Sequence, residues 1–401
     1  MAAEIKNFQE EKSRARSTRD NYKERIKKHK KIGFYRILLA VLCILVLLVI
    51  IIQRYSTHIY TTYEVLSTIP VQKTTNSVSI PIGNQIFTYS TDGAHSTNAK
   101  GEIVWNQTFE MQHMIVTQNG DTIAMADYNG REVYVFTPKG KIGEIHTTMP
   151  IRNFAVSENG RVAVAVTDSK ITWIYIYDSD GTMKYEIKTT MGQSGYPASF
   201  SLSPNGELLA MSCIYVDSGV VKSRVAFYNF GDVGENKSDY YMSGSTFPDT
   251  IIPLIRFMDD DSIYAVGDDR VMLFGGNQIP ELNNNFLFEE EIKSVYNNKD
   301  HVIAVFGSDK LEYRRKMVLF SGSSEKRKEI YTELEFTNVA FGNKYFTIYN
   351  DTRCQVYTYG GKQKYNGTFD QPVRLMIPIG GDGSFRYLIM TDMGIDTIQL
   401  K

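Results

Sequence analysis

Residues 114–146 read MIVTQNGDTIAMADYNGREVYVFTPKGKIGEIH, and their punctuation decides the fold. Asn119-Gly120 interrupts one apolar run, and a glycine there admits the positive φ of a tight hairpin turn. Ile123-Ala124-Met125-Ala126 forms a second run that stops at Asp127. Val133-Tyr134-Val135-Phe136 is a third, of β-branched and aromatic residues, and Pro138-Lys139-Gly140-Lys141 turns it into a fourth. Four short strands with no room for a helix make one antiparallel four-stranded unit.

The same punctuation recurs on both sides. Turns are read at Gly83-Asn84, Asn159-Gly160, Asn205-Gly206, Asp259-Asp260-Asp261, Asn297-Asn298-Lys299-Asp300, Gly342-Asn343 and Gly380-Gly381-Asp382-Gly383. Their spacing averages about 43 residues, the length of one propeller blade. A second marker follows each turn by seven to eleven residues: Asp92, Asp127, Asp168, Asp217, Asp268, Asp309, Asp351 and Asp392. A third marks the turn into a fourth strand, at Ala99-Lys100-Gly101-Glu102, Ser179-Asp180-Gly181-Thr182 and Gly360-Gly361-Lys362. The fold class is therefore all-β, an eight-bladed propeller over residues 63–401. Blades begin near Ser77, Gln112, Arg152, Ala198, Ile255, Ile292, Thr337 and Val373. The last has room for three strands, so Tyr63–Ile69 is expected to supply its fourth and close the ring beside Gly394–Leu400. Seven blades is the alternative count, because the Asp217–Pro253 region is stretched.

The N-terminal part is different. Residues 37–52 read ILLAVLCILVLLVIII, and Phe34 and Tyr35 extend the run to the thickness of a hydrocarbon core. It ends in Ile50-Ile51-Ile52-Gln53-Arg54-Tyr55, without the small residues of a cleavage site, so it reads as a membrane anchor over 34–52 and not a signal peptide. Residues 1–31 hold eleven Lys and Arg against five Asp and Glu. The positive-inside rule then puts the tail, 1–33, in the cytoplasm. A linker, 53–62, would lead to a propeller outside. Lys23, Arg25, Lys27, Lys28, Lys30 and Lys31 are placed to meet anionic lipid. Residues 55–401 carry a net −9, which excludes a nucleic-acid partner that needs a basic folded face.

Gly101-Glu102-Ile103-Val104-Trp105 resembles the G-x-x-x-W turn and strand of quinoprotein-like blades, though it occurs once and the Gly-His and Trp-Asp marks of WD40 repeats are absent. The whole layout resembles bacterial, Gram-positive-type, single-pass membrane-anchored propellers of unknown function. That resemblance implies a cell-envelope location and carries over no active-site residues.

Chemistry is sparse. His29, His58, His95, His113, His146 and His301 show no metal-ligand spacing, and no C-x-x-C accompanies them. Asp178-Ser179-Asp180-Gly181 opens like a calcium loop but lacks its distant Glu, and reads as a turn. Cys213 and Cys354 fall inside strands and read as buried side chains. No phosphate loop or nucleophile elbow is present. No catalytic residue, metal or cofactor is assigned.

Two features are candidates for binding. The eight Asp could ring one end of the propeller and attract a basic partner; their simpler role is to start turns. The irregular stretch 231–250 offers Tyr240, Tyr241 and Phe247 as anchors. The expected function is a non-enzymatic scaffold for a protein or envelope-polymer partner. A sensor coupled to the basic tail and an envelope hydrolase working at the propeller channel are the alternatives.

Overall fold

The computed structural model describes residues 2–71, 76–237, 239–322, 327–381 and 385–401. The chain forms two units, Met1–Ile59 and Tyr60–Lys401. The first is one helix, Ala2–Thr57, running unbroken through the basic tail and the apolar run. By length and composition, Lys27–Ile50 within it could cross a bilayer. The helix ends at Thr57, and the second unit begins at Tyr60, whose N–H donates to the Lys364 carbonyl at 2.8 Å.

The second unit is a propeller of eight four-stranded antiparallel sheets. Seven blades occupy 78–108, 114–146, 151–190, 196–247, 254–287, 292–332 and 338–368, each in simple sequence order, strands a to d from first to last. The eighth takes strands a to c from 373–400 and its d strand from Tyr63–Pro70. The count of eight stands. Blade 4 is the stretched one because its b and c strands, Leu208–Asp217 and Val220–Asn229, run ten residues each.

Each hydrophobic cluster sits in the seam between two blades. Ala163, Ala165, Ile174 and Ile176 of blade 3 meet Phe200, Leu202 and Met211 of blade 4. The alternate residues Val162, Val164 and Val166 meet Ala124, Val133 and Val135 of blade 2. Strands b and c are buried on both faces, which explains their unbroken apolar runs. The d strands face solvent and alternate, as Met183–Thr190 does.

The turn chemistry differs from the sequence reading in one respect. Gly120 takes the positive φ of its turn (+53°), but Asn119, Asn159 and Asn205 do not share it. Asn119 is the last residue of its strand, and the turn is Gly120-Asp121. The asparagine side chains instead cap turns, Asn159 Oδ1 accepting from the Arg161 N–H at 3.1 Å and Asn205 Oδ1 from the Glu207 N–H at 2.9 Å. The c–d turns behave as read. The N–H groups of Gly101, Gly181 and Gly361 bond three residues back, with φ of +78°, +84° and +83°. The turn at 380–383 lies partly outside the described residues.

The closing strand pairs from Tyr63↔Leu400 to Pro70↔Gly394. Gly394 has φ +151°, and a Cβ there would meet the Ile69 carbonyl oxygen at 2.2 Å. Gly394→Ala is expected to cost about 1–3 kcal/mol in urea unfolding. Gly307→Ala, where a Cβ meets nothing within 4 Å, should change stability by less than about 0.5 kcal/mol. Equal effects at the two positions would mean that the closure is not under this constraint.

Candidate functional site

A propeller has two ends. One holds the a–b and c–d turns, the other the b–c turns and the connections between blades. The chain enters at the first, where the Thr61 and Thr62 N–H groups donate to the Lys401 carbonyl at 3.1 and 2.9 Å. Polar side chains there bind the next blade. Gly83 N–H donates to Asp121 Oδ1 (2.8 Å), Thr122 Oγ1 to the Glu158 carbonyl (2.7 Å), Arg161 to the Gly206 carbonyl (2.9 Å) and Asn205 N–H to Asp260 Oδ1 (2.8 Å). Blades 1 to 5 are thus stitched in series along this end. Asp178 belongs to the same fabric, paired with Arg161 at 2.9 Å, and reads as the turn residue it was taken for.

All eight repeated Asp lie at the other end, and the structure divides them. Asp127 accepts from the His113 N–H at 2.6 Å, tying the b–c turn of blade 2 to the connection entering it. Asp268 accepts from Thr250 Oγ1 in the corresponding place of blade 5. Asp217 pairs with Lys222 at 2.7 Å, a contact that holds its carboxyl below the ordinary range, and Asp392 pairs with Arg374 at 2.5 Å. Asp92 and Asp168 accept from the neighbouring Thr91 and Ser169 hydroxyls at 3.3 and 3.2 Å. Asp92, Asp168, Asp309 and Asp351 are exposed. Turn chemistry and an acidic surface therefore coexist at this end.

The stretch 231–250 is less irregular than its composition. Asp232–Glu235 is a single helical turn and Tyr241–Phe247 is the d strand of blade 4. Phe247 is 6% exposed in the seam with blade 5, so it is removed as a surface anchor. Tyr240 packs edge-on against Tyr185 and Phe230 at 5.2 and 5.7 Å, and Tyr241 alone of the three is exposed. The protruding element of blade 4 is its b–c hairpin. The last four pairs, Ile214↔Ser223 to Asp217↔Val220, expose Val216, Val220 and Val221 beside Met191 and Tyr196. Sequence reading missed this hairpin because it sought irregular loops, whereas a long strand pair projects as regular structure.

Lys23, Lys27, Lys28, Lys30 and Lys31 are exposed on the helix, and the Arg25 side chain is outside the described residues. Cys213 and Cys354 are buried, 2% and 0% exposed, and burial pushes the Cys213 thiol up to about 12. His301 lies flat on Tyr359 with ring centres 3.8 Å apart, and burial lowers its pKa. One further group comes together on the outer edge of blade 2. Glu132, Glu144 and His146 offer ligand atoms within 4.8 Å of one another. Sequence reading did not find it, because Glu132 and His146 are fourteen positions apart and only the c–d register sets them opposite.

Three ion pairs, made by two cations, anchor segments of the b–c end. Arg270 is 5% exposed and reaches both Asp269 and Asp249; Lys316 meets Glu290. These bonds hold the Asp269 and Glu290 carboxyls below their ordinary range. Their contribution is whole above that range and is lost as the pH falls through the depressed values. The Asp249 and Asp269 side chains are 62% and 42% exposed and can rehydrate. Arg270→Met should therefore cost about 1–3 kcal/mol at neutral pH. It should also show a shallower loss of thermal stability between neutral and acid pH than the parent. An unchanged acid limb would remove these pairs from the account.

No curated protein matches the sequence. Among solved structures, the chain is similar to Sqt1 from Chaetomium thermophilum at 12% identity and TM-score 0.51, covering 84% of this chain and 98% of that one. BamB from Moraxella catarrhalis is similar at 11% identity and TM-score 0.46, covering 85% and 100%. A further structure has Sqt1 bound to the N-terminus of ribosomal protein L10. At these identities the likeness is one of fold. Residues 55–400, the whole propeller, match the model of a family of unknown function, DUF5711, and the chain belongs to that family.

Proposed function

We propose that the protein is a scaffold held to a membrane by residues 34–52, its propeller outside the cell, with the b–c end presented to a protein partner that carries a basic surface. The observation that carries this is what the end remote from the chain's entry presents. The chain joins the ring at the a–b end, where Thr61 and Thr62 bond Lys401. The b–c end holds exposed Asp92, Asp168, Asp309 and Asp351 together with the apolar hairpin tip of blade 4. Exposed carboxylates steer a cationic partner, and an apolar patch among them supplies contact area.

A non-enzymatic role is supported by the causes of the perturbed groups. Tyr264 and Tyr357 are pushed up to about 12 chiefly by burial in seams, and the Cys213 thiol likewise. Perturbation of that kind is structural rather than a poised acid and base facing one cleft. The Lys-rich stretch 23–31 is proposed to lie at the cytoplasmic face against anionic headgroups, and the envelope of a Gram-positive-type cell is the proposed setting.

Two measurements test the reading. Leu311 is fully exposed on the b–c turn of blade 6. Leu311→Cys is expected to react with a membrane-impermeant maleimide on intact cells, and labelling only after lysis would reverse the topology. The combined charge reversal of Asp92, Asp168, Asp309 and Asp351 to Lys should leave the thermal midpoint within a few degrees of the parent. It should also abolish capture of the partner cross-linked to the parent in membranes. A folded variant that retains the partner refutes the acidic end as the binding face.

A further inference from the structure

The outer edge of blade 2 carries a group that the scaffold reading does not use. Strands c and d, Glu132–Thr137 and Gly140–His146, pair antiparallel with Glu132 opposite His146 and Tyr134 opposite Glu144. Side chains two apart on one strand and opposite on the next share a face. Glu132, Glu144 and His146 therefore converge on the solvent side of the last two strands. His146 Nε2 lies 3.3 Å from Glu144 Oε1, and Nδ1 lies 3.7 Å from Glu132 Oε1.

The second oxygen of each carboxylate is held by a donor outside the trio. The Tyr134 hydroxyl donates to Glu132 Oε2 at 2.8 Å and the Lys141 ammonium to Glu144 Oε2 at 2.8 Å. Tyr134 is itself fixed, stacked on Phe109 and Phe136 with centroids 5.6 and 6.5 Å away, and the Lys141 ammonium lies 5.5 Å from its ring centre. The two Oε1 atoms are thereby aimed at the imidazole. Outer donors that orient ligating carboxylates in this way are the ordinary support of a metal site.

We propose that Glu132, Glu144 and His146 form a divalent transition-metal site, with zinc as the ion its donors fit. Two carboxylate oxygens and one imidazole nitrogen suit zinc, whose bonds to such atoms run about 2.0–2.2 Å. Ligand atoms around a tetrahedral ion at that distance stand roughly 3.3 Å apart. The trio already lies within 4.8 Å, and the half-exposed Glu132 and His146 can close the remainder by small side-chain rotations. Three protein ligands leave a fourth position for water, open to solvent because strand d is the outermost of the blade. Calcium, which takes six to eight oxygens, finds too few here. Glu132 directly follows the b–c turn of blade 2 and His146 ends its outermost strand, but the group uses none of Asp92, Asp168, Asp309 and Asp351, so its test is separate from that of the proposed partner face.

The test uses the full chain in detergent, stripped of metal, titrated with zinc against a chromophoric chelator, with cobalt as a spectroscopic probe. One equivalent of zinc is expected, and the cobalt complex should show visible absorption. His146→Ala and Glu144→Gln should each weaken zinc by at least about tenfold, and Tyr134→Phe by about tenfold through loss of the orienting donor. Far-UV circular dichroism should be unchanged in each. Zinc should raise the thermal midpoint of the parent and leave that of His146→Ala where it was. Equal zinc affinity in the parent and in folded His146→Ala, or displacement of zinc by an equimolar amount of calcium, would overturn the site. Absence of zinc binding below about 1 mM would reduce the trio to an ion pair on the blade rim.

Discussion

The pairing of Tyr63–Pro70 with Gly394–Leu400 joins residues more than three hundred positions apart in sequence, and the ring depends on it. Without the N-terminal strand, blade 8 would keep three strands and expose a row of unpaired backbone groups on its c strand. The seam with blade 7 would lose Tyr63, which packs on Phe369 at 5.8 Å and donates its hydroxyl to Asp370 at 2.8 Å. Closure also fixes where the chain enters, since a d strand begins at the end that holds the c–d turns. The end of the ring at which Tyr60 and Thr61 join it therefore follows from that single pairing.

Within the ring, most of the apolar burial lies in the seams between blades, where side chains of adjacent sheets interdigitate. Large flat residues such as Phe136, Phe227, Phe274 and Phe346 are wholly buried there. Polar bonds join blades at both ends: from Gly83 on blade 1 to Asp260 on blade 5 at the a–b end, and at the b–c end from the Ile151 N–H of blade 3 to the Gly130 carbonyl of blade 2 and from the Val373 N–H of blade 8 to the Asp351 carbonyl of blade 7. Exposed carboxylates remain on the b–c turns, and turns on a rigid scaffold are where binding residues are commonly placed.

Much of this was legible in the chain. Blade starts read from turn residues fall within two residues of the observed first strands, at Val78, Met114, Ile151, Tyr196, Leu254, Ile292, Asn338 and Val373. The apolar run in the helix and the burial of Cys213 and Cys354 were equally readable. The candidate site was readable only in part. The common end of the eight Asp follows from their position after the second strand of each blade. Which of them are engaged does not, because Thr250, Lys222 and Arg374 reach them from other segments.

By itself the sequence determined the period, most of the turn positions and the apolar helix, because each rests on neighbours within a few residues; the choice of eight blades over seven needed the pairing of Tyr63–Pro70 with Gly394–Leu400. Hairpin turns, strand alternation and bilayer-length runs are local physics. Tertiary structure decided what depends on adjacency between strands or blades. Phe247 looked like a loop anchor and became core because a strand of blade 4 lays it against blade 5. Asn119, Asn159 and Asn205 looked like turn formers and act as capping or bridging groups. Glu132, Glu144 and His146 are ordinary surface residues in the chain, and the c–d register alone sets them side by side.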